Sequence, residues 1–330
     1  MKVIVTGGAG FIGSNLTDAL VAAGADVSVL DNFSTGFHQH LEHARAAGCQ
    51  VVECDCYSAP NRLPELVAGA DAIVHLAANA DVRFGWRNTR RDLEQNVIAS
   101  HNVLEAARLT GVRRLLFSST GSVYGEGAVV PTPEDAAFPV QTSLYGASKA
   151  AVEGYIAAYA EAGIVTATVF RFVSLLGPRY SHGHVIDFVR QLRDHPAQLH
   201  ILGDGSQRKS YLHVSDCVAA MISSLEREPK FEVLNLGTDE FCTVKNSVAW
   251  ICERLGLDPS RSYSGGDRGW IGDNPFIYLD TKRIRSTGWT PRFSIREAVE
   301  DTVDYLTENQ WLLDHADESV SSAPRVESST

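Results

Sequence analysis

Long apolar runs are missing from this chain. No stretch approaches the ~20 apolar residues needed to span a bilayer, and a β-strand beginning at Lys2 leaves no room for a cleavable leader. An excess of positive charge is missing too. The net charge of −11 argues against the basic face that nucleic acid or an anionic membrane requires. The six cysteines (Cys49, Cys54, Cys56, Cys217, Cys242, Cys252) include no metal-type pairs, so no metal site is expected. Cys54 and Cys56, two apart on an expected strand, read as core thiols. A reducing cytoplasm is the expected compartment. With 330 residues, 44% hydrophobic and 21% charged, the chain suits one large or two unequal globular domains.

What is present begins with Lys2 to Thr6 (K-V-I-V-T), a short β-branched run. It is followed by G-G-A-G-F-I-G and then the helical S-N-L-T-D-A-L-V-A-A-G. Gly7, Gly10 and Gly13 therefore fall between a strand and a helix, the setting in which glycine spacing is informative. The first glycine permits the tight turn, the second lets backbone approach a pyrophosphate, and the third lets helix pack on strand. The helix start offers free N–H groups and the positive end of its dipole. A second strand, Val27 to Leu30, ends in Asp31. A carboxylate there suits both ribose hydroxyls and repels a 2′-phosphate, so NAD is expected rather than NADP. A third strand, Gln50 to Cys54, ends at Asp55, placed to reach the adenine. A fourth, Ala72 to Leu76, runs into A-A-N-A, small residues that let the chain pass close to a flat ligand.

Arg87 to Leu109 has a polar start and apolar spacing suited to one long helix, with Asn96 in its middle. Strand Arg114 to Phe117 follows, then S-S-T-G-S-V-Y-G. This alternation points to a doubly wound parallel α/β sheet with its ligand at the carboxyl edge. Farther on, T-S-L-Y-G-A-S-K-A places Tyr145 and Lys149 on one face of a helix, a turn apart. A phenol with an unperturbed pKa of about 10 is a poor base at neutral pH. An ammonium held beside it is expected to favour the phenolate.

Together these motifs resemble the extended short-chain dehydrogenase/reductase family, in its branch of nucleotide-sugar epimerases and dehydratases. The matching residues are Gly7-x-x-Gly10-x-x-Gly13, D-N-F-S-T-G at 31–36, H-L-A-A at 75–78, S-S-T-G-S-V-Y-G at 118–125 and Tyr145-x-x-x-Lys149. G-P at 177–178, G-D-G-S-Q at 203–207 and R-G-W-I-G-D at 268–273 continue the likeness to about residue 310. The resemblance implies a Rossmann-type domain over 1–173, with 214–240 returning to it. A smaller α/β nucleotide-sugar domain would comprise 174–213 and 241–312, and 313–330, poor in apolar residues, would be a disordered tail.

The same resemblance implies a catalytic set of Thr120, Tyr145 and Lys149. It places NAD against Gly7, Gly10, Phe11, Ile12, Gly13, Asp31, Asn32, Asp55, Cys56, Leu76, Ala77, Ala78, Asn96, Ser118, Tyr145, Lys149 and Phe172. It places a UDP-sugar against Arg83, Thr120, Ser122, Tyr145, Ser174, Val185, Lys209 and Arg268. Ser174 stands where relatives carry an asparagine, and Lys209-Ser210 where they carry Arg-Asp. Lys209 keeps a positive charge without the bidentate fork, with Arg208 as a substitute. His182 and His184 read as solvated loop residues, and Phe241 to Leu255 as a helix. Relatives pair through helices at about 90–109 and 148–162, so a homodimer is implied.

The two residues after Thr120 discriminate among the family's reactions. Similar dehydratases carry Asp-Glu there, because eliminating water across C5–C6 needs a general acid and base; decarboxylating relatives keep the second acid. This chain has Gly121 and Ser122. The resemblance then implies a 4-epimerase interconverting UDP-glucose and UDP-galactose through a 4-keto sugar. Alternatives are an epimerase for UDP-glucuronate or a UDP-N-acetylhexosamine, an NDP-sugar dehydratase or reductase, and a catalytically idle relative.

Overall fold

The structure, a computed structural model, describes residues 1–80, 85–86, 88–137, 140–266 and 276–315. At its centre lie β1 (Lys2–Thr6), β2 (Asp26–Asp31), β3 (Gln50–Glu53), β4 (Ala72–His75), β5 (Arg114–Thr120), β6 (Thr166–Phe172) and a seventh strand, Phe231–Leu236. The spatial order is Phe231–Leu236, β6, β5, β4, β1, β2, β3, and every pairing is parallel. Helices cover both faces, which is why the strands read as unbroken β-branched and aliphatic runs. Val3, Ile4 and Val5 are each 0% exposed. Successive connections leave β1 in opposite directions, toward β2 and toward β4, so a crevice opens at the carboxyl ends.

Several elements differ from the sequence reading. The single helix expected over 87–109 is Thr89–Asp92, a π turn at Leu93–Ile98, and a helix at Ala99–Thr110. The π turn carries Asn96, which is buried and donates to Ser148 Oγ at 2.8 Å. β5 runs on to Thr120 because Ser118, Ser119 and Thr120 find partners in Phe170, Arg171 and Phe172 of β6. The helix expected from Phe241 starts at Val244, since Cys242–Thr243 pairs with Arg208–Lys209 and Thr243 then caps the helix. Cys54 and Cys56 lie past the end of β3, both buried.

Of the tail expected over 313–330, residues 316–330 lie outside the described residues, and 313–315 are ordered. Trp311–Asp314 is helical, Leu313 is buried, and Trp311 meets Phe37 edge-on at 5.2 Å. Small sheets lie apart from the central one: Ser174–Leu176 with Tyr211–His213, Gln198–Ile201 with Ser260–Tyr263, and Arg208–Lys209 between Cys242–Thr243 and Phe276–Ile277. Among the described residues, no helix is long and apolar enough to cross a membrane.

Candidate active site

The turn from β1 into the helix Phe11–Ala22 builds one half of the site. Gly7 has φ +71°, and a Cβ there would lie 2.6 Å from the Ala77 nitrogen. A Cβ on Gly13 would lie 2.1 Å from the Gly7 carbonyl oxygen. Glycine loop, helix start and the Leu76–Ala77 backbone thus meet where no side chain fits. The helix begins after Gly10 without a side-chain cap, so Phe11 and Ile12 open a first turn whose N–H groups no side chain satisfies. That is the donor set a pyrophosphate takes.

Asp31 sits at the end of β2. Its Oδ2 accepts the Ala9 N–H and its Oδ1 the Phe33 N–H, each at 2.8 Å. Burial raises its pKa, and these backbone bonds oppose the shift. Next to it, Asn32 donates to Asp55 at 3.3 Å, and Asp55 accepts the Tyr57 N–H at 2.7 Å. The buried Cys56 thiol is pushed up to about 12, chiefly by desolvation, so it is inert at neutral pH. The cradle, the uncapped helix start and the Asp31 carboxylate fit a dinucleotide.

The other half comes from the helix Leu144–Glu161, started by Ser143, whose hydroxyl accepts the Gly146 N–H at 3.0 Å. Lys149 is 2% exposed; its Nζ donates to the Ser118 carbonyl at 2.9 Å and lies 4.7 Å from the Phe117 ring centroid. Burial brings its pKa down to about 7, against the pull of Glu153 and Asp92. Tyr145 is pushed up to about 12 by burial, opposed by a hydrogen bond with Thr120 and reinforced by Asp92. Lys149 is not among the groups that shift Tyr145. The ammonium is turned to Ser118, and desolvation outweighs the Thr120 bond. Thr120 Oγ1 also accepts the Ser122 N–H at 3.1 Å.

Asn96 joins the halves. Its Oδ1 accepts the Asn79 N–H at 2.8 Å and its Nδ2 donates to Ser148 Oγ at 2.8 Å; Ser148 in turn donates to the Tyr145 carbonyl at 2.8 Å. The sequence reading missed Asp92, Ser148 and Glu153. Asp92 accepts from Asn79 at 2.8 Å, four residues before Asn96. Glu153 stands four residues after Lys149, grips Arg171 with both oxygens and accepts the Ser119 hydroxyl. In both cases the i, i+4 spacing was the available signal.

The residues assigned to the sugar nucleotide are less gathered. Phe172 closes β6, and its carbonyl would lie 3.2 Å from a Cβ on Gly121. Ser122 is partly exposed and Ser174 exposed. Val185 is 0% exposed, so its side chain packs the core rather than lining a cleft. Lys209 acts electrostatically on His184, but Arg208 faces away from that side, with its guanidinium 4.2 Å from the Phe276 ring centroid. Successive residues of a strand point to opposite faces, which sets Arg208 apart from Lys209. His184 is partly buried rather than a free loop residue: it opens the helix His184–Asp194, bonds Ser247 Oγ at 2.8 Å, and is driven down to about 3, chiefly by desolvation. Arg83 and Arg268 lie outside the described residues.

Fold and site together define a dinucleotide-dependent α/β enzyme. The model of the NAD dependent epimerase/dehydratase family matches residues 3–237. A UDP-glucose 4-epimerase of Corynebacterium glutamicum is 32% identical over 323 residues, covering 91% of this chain and 94% of that one. Among solved structures, a UDP-galactose 4-epimerase is 36% identical with a TM-score of 0.83, covering 94% of this chain and all of the other. MoeE5 in complex with UDP-glucuronic acid and NAD is 30% identical with a TM-score of 0.84 at 94% and 100% coverage. The chain belongs to the NAD-dependent epimerase/dehydratase family, and its cofactor is NAD.

Proposed function

We propose that this enzyme is an isomerase, a nucleotide-sugar 4-epimerase interconverting UDP-glucose and UDP-galactose. The observation that carries the reading is Gly121. A Cβ there would meet Ile277 Cγ2 at 3.0 Å and the Phe172 carbonyl oxygen at 3.2 Å, so a carboxylate beside Thr120 would need its neighbours to give way. With Gly121 and Ser122 following Thr120, elimination across C5–C6 lacks its acid and base. Oxidation at C4 and its reversal remain. The UDP-glucose 4-epimerase and UDP-galactose 4-epimerase among the similar proteins support the choice of sugar.

NAD would lie against Gly7, Gly10 and Gly13, with Asp31 at the adenine ribose and Asn32, Asp55 and Cys56 toward the adenine. When bound, NAD supplies a reversible hydride acceptor and a cationic ring. Burial raises the Tyr145 pKa, and a positive charge beside it would favour the phenolate. The phenolate would take the proton from the sugar C4 hydroxyl while Thr120 holds the C4 oxygen, and Tyr145 would later return that proton to the C4 oxygen once the configuration at C4 has inverted. Ser122, Ser174 and Lys209 would hold the sugar nucleotide, together with Arg83 and Arg268.

A homodimer through the helices Ala99–Thr110 and Leu144–Glu161 is supported by apolar exposure near them: Leu93 at 49%, Ile98 at 37% and Tyr155 at 47%. The proposed division into a Rossmann part (1–173 with 214–240) and a nucleotide-sugar part follows the return of Phe231–Leu236 to β6. Six free, buried cysteines suit a reducing cytoplasm. The test is incubation with a panel of UDP- and dTDP-sugars, resolving epimers by NMR. Interconversion of UDP-glucose and UDP-galactose is expected. Turnover confined to UDP-glucuronate or an N-acetylhexosamine would move the assignment to that sugar, and a 4-keto-6-deoxy product would overturn it.

A further inference from the structure

A buried chain of hydrogen bonds runs from the loop after β4 to the π turn, and its direction can be worked out atom by atom. His75 closes β4, is 2% exposed, and lies level with Thr6 of β1. Its Nδ1 is 2.6 Å from Thr6 Oγ1, and its Nε2 is 2.8 Å from Ser100 Oγ. The Ser100 hydroxyl is also 2.5 Å from the Asn96 carbonyl oxygen. A carbonyl only accepts, so the single Ser100 proton points there. Ser100 Oγ must then accept from His75, which places a proton on Nε2.

At the other end, the Ala77 N–H donates to Thr6 Oγ1 at 3.3 Å. The bare Nδ1 of a neutral imidazole accepts the Thr6 hydroxyl proton. Every link thus points one way, from Ala77 N–H through Thr6, His75 and Ser100 to the Asn96 carbonyl. Burial drives the imidazole down to about 3, and the neighbouring Lys149 charge also disfavours its protonation. In a low-dielectric interior such a chain polarises cooperatively, and each end is a backbone group that cannot reverse its role. The two ends matter. Ala77 lies against Gly7, and the Asn96 amide reaches Ser148, which bonds the Tyr145 carbonyl.

We propose that His75 is a positioning residue for the reaction: as the Nε2–H tautomer, it fixes the π turn at Asn96 relative to the loop at Ala77. It thereby holds the Tyr145 helix in register with the dinucleotide. A histidine that only filled core volume would need no particular tautomer. The activity arm of the test rests on the 4-epimerase reading; the tautomer arm does not.

The experiment combines two readouts on the full chain. Nitrogen-15 NMR of imidazole-labelled wild-type protein should show His75 as the Nε2–H form with no titration between about pH 5 and 9. Ser100→Ala should lower kcat roughly 10- to 100-fold, with KM for the sugar nucleotide and bound NAD little changed, because a small misplacement of reacting groups acts on turnover. Ser100→Thr, which keeps the hydroxyl, should restore most of it. A His75 that carries its proton on Nδ1, or that titrates in this range, overturns the proposal. So does a Ser100→Ala protein with wild-type kcat, or one in which kcat and NAD retention fall while KM rises. Absence of epimerase activity in the wild type alongside the Nε2–H tautomer would count against the epimerase reading, leaving the relay intact.

Discussion

The ammonium of Lys149 donates to the carbonyl oxygen of Ser118 at 2.9 Å, tying the helix of Tyr145 to the end of β5. With its partner in the backbone, Lys149 is brought down to about 7 by burial, against the pull of Glu153 and Asp92. Removing either side chain tests the roles separately. Tyr145→Phe should keep NAD and the sugar nucleotide bound while losing about 10²- to 10⁴-fold in turnover, the usual worth of a general acid–base group. Lys149→Met should lose turnover and NAD retention together. Near-normal epimerisation by the Tyr145→Phe protein would end the proton-transfer assignment.

Asp31 holds the Ala9 N–H of the glycine loop with one oxygen and the Phe33 N–H just after β2 with the other. Asp31→Ala leaves the buried Ala9 donor without an acceptor, at a cost of about 1–3 kcal/mol. The variant should bind NAD more weakly and discriminate less against NADP. Fluorescence titration with both dinucleotides measures this, and an unchanged preference would place ribose recognition elsewhere.

Gly121 is where packing and reaction type meet. Gly121→Ala pushes a methyl against Ile277 and the Phe172 carbonyl, which should destabilise the fold by about 1–3 kcal/mol through overpacking. Denaturant midpoints at pH 7.5 give the number. A neutral or stabilising result would mean the neighbouring strand Phe276–Ile277 yields easily, and the steric case against a carboxylate would weaken.

Stability should fall on mild acidification. Burial lowers His40 to about 4 and both His75 and His184 to about 3, from 6.5. From pH 6.5 down to about 4 the unfolded chain binds protons at these groups and the folded chain does not. Stability present above pH 6.5 is therefore lost as pH falls, by about 1.4 kcal/mol per pH unit for each histidine. His40→Gln should make the decline shallower by one such increment. An identical slope in that variant would show that His40 titrates freely.

Legibility in the sequence followed locality. Gly7, Gly10 and Gly13 between strand and helix, Asp31 at a strand end, and Tyr145 four residues before Lys149 are patterns within one turn or one loop. The chain geometry that makes them readable is the same in any context. The strands of the central sheet were readable for the same reason, since burial on both faces leaves a continuous apolar run. The break of the 87–109 helix into a π turn was not. It depends on Asn79 and Ser148, which are sequence-distant partners for Asn96.

By itself, then, the amino-acid order determined the parallel α/β plan, the glycine cradle and the shared face of Tyr145 and Lys149, because these follow from periods of two and 3.6 residues. Only the tertiary structure decided that Lys149 turns to Ser118, that Arg208 lies on Phe276 while Lys209 acts on His184, and that Val185 belongs to the core. It also decided that burial pushes the Tyr145 pKa up, with Thr120 opposing the shift. Desolvation and hydrogen-bond direction are properties of what packs around a group, and those neighbours arrive from parts of the chain that no local pattern names.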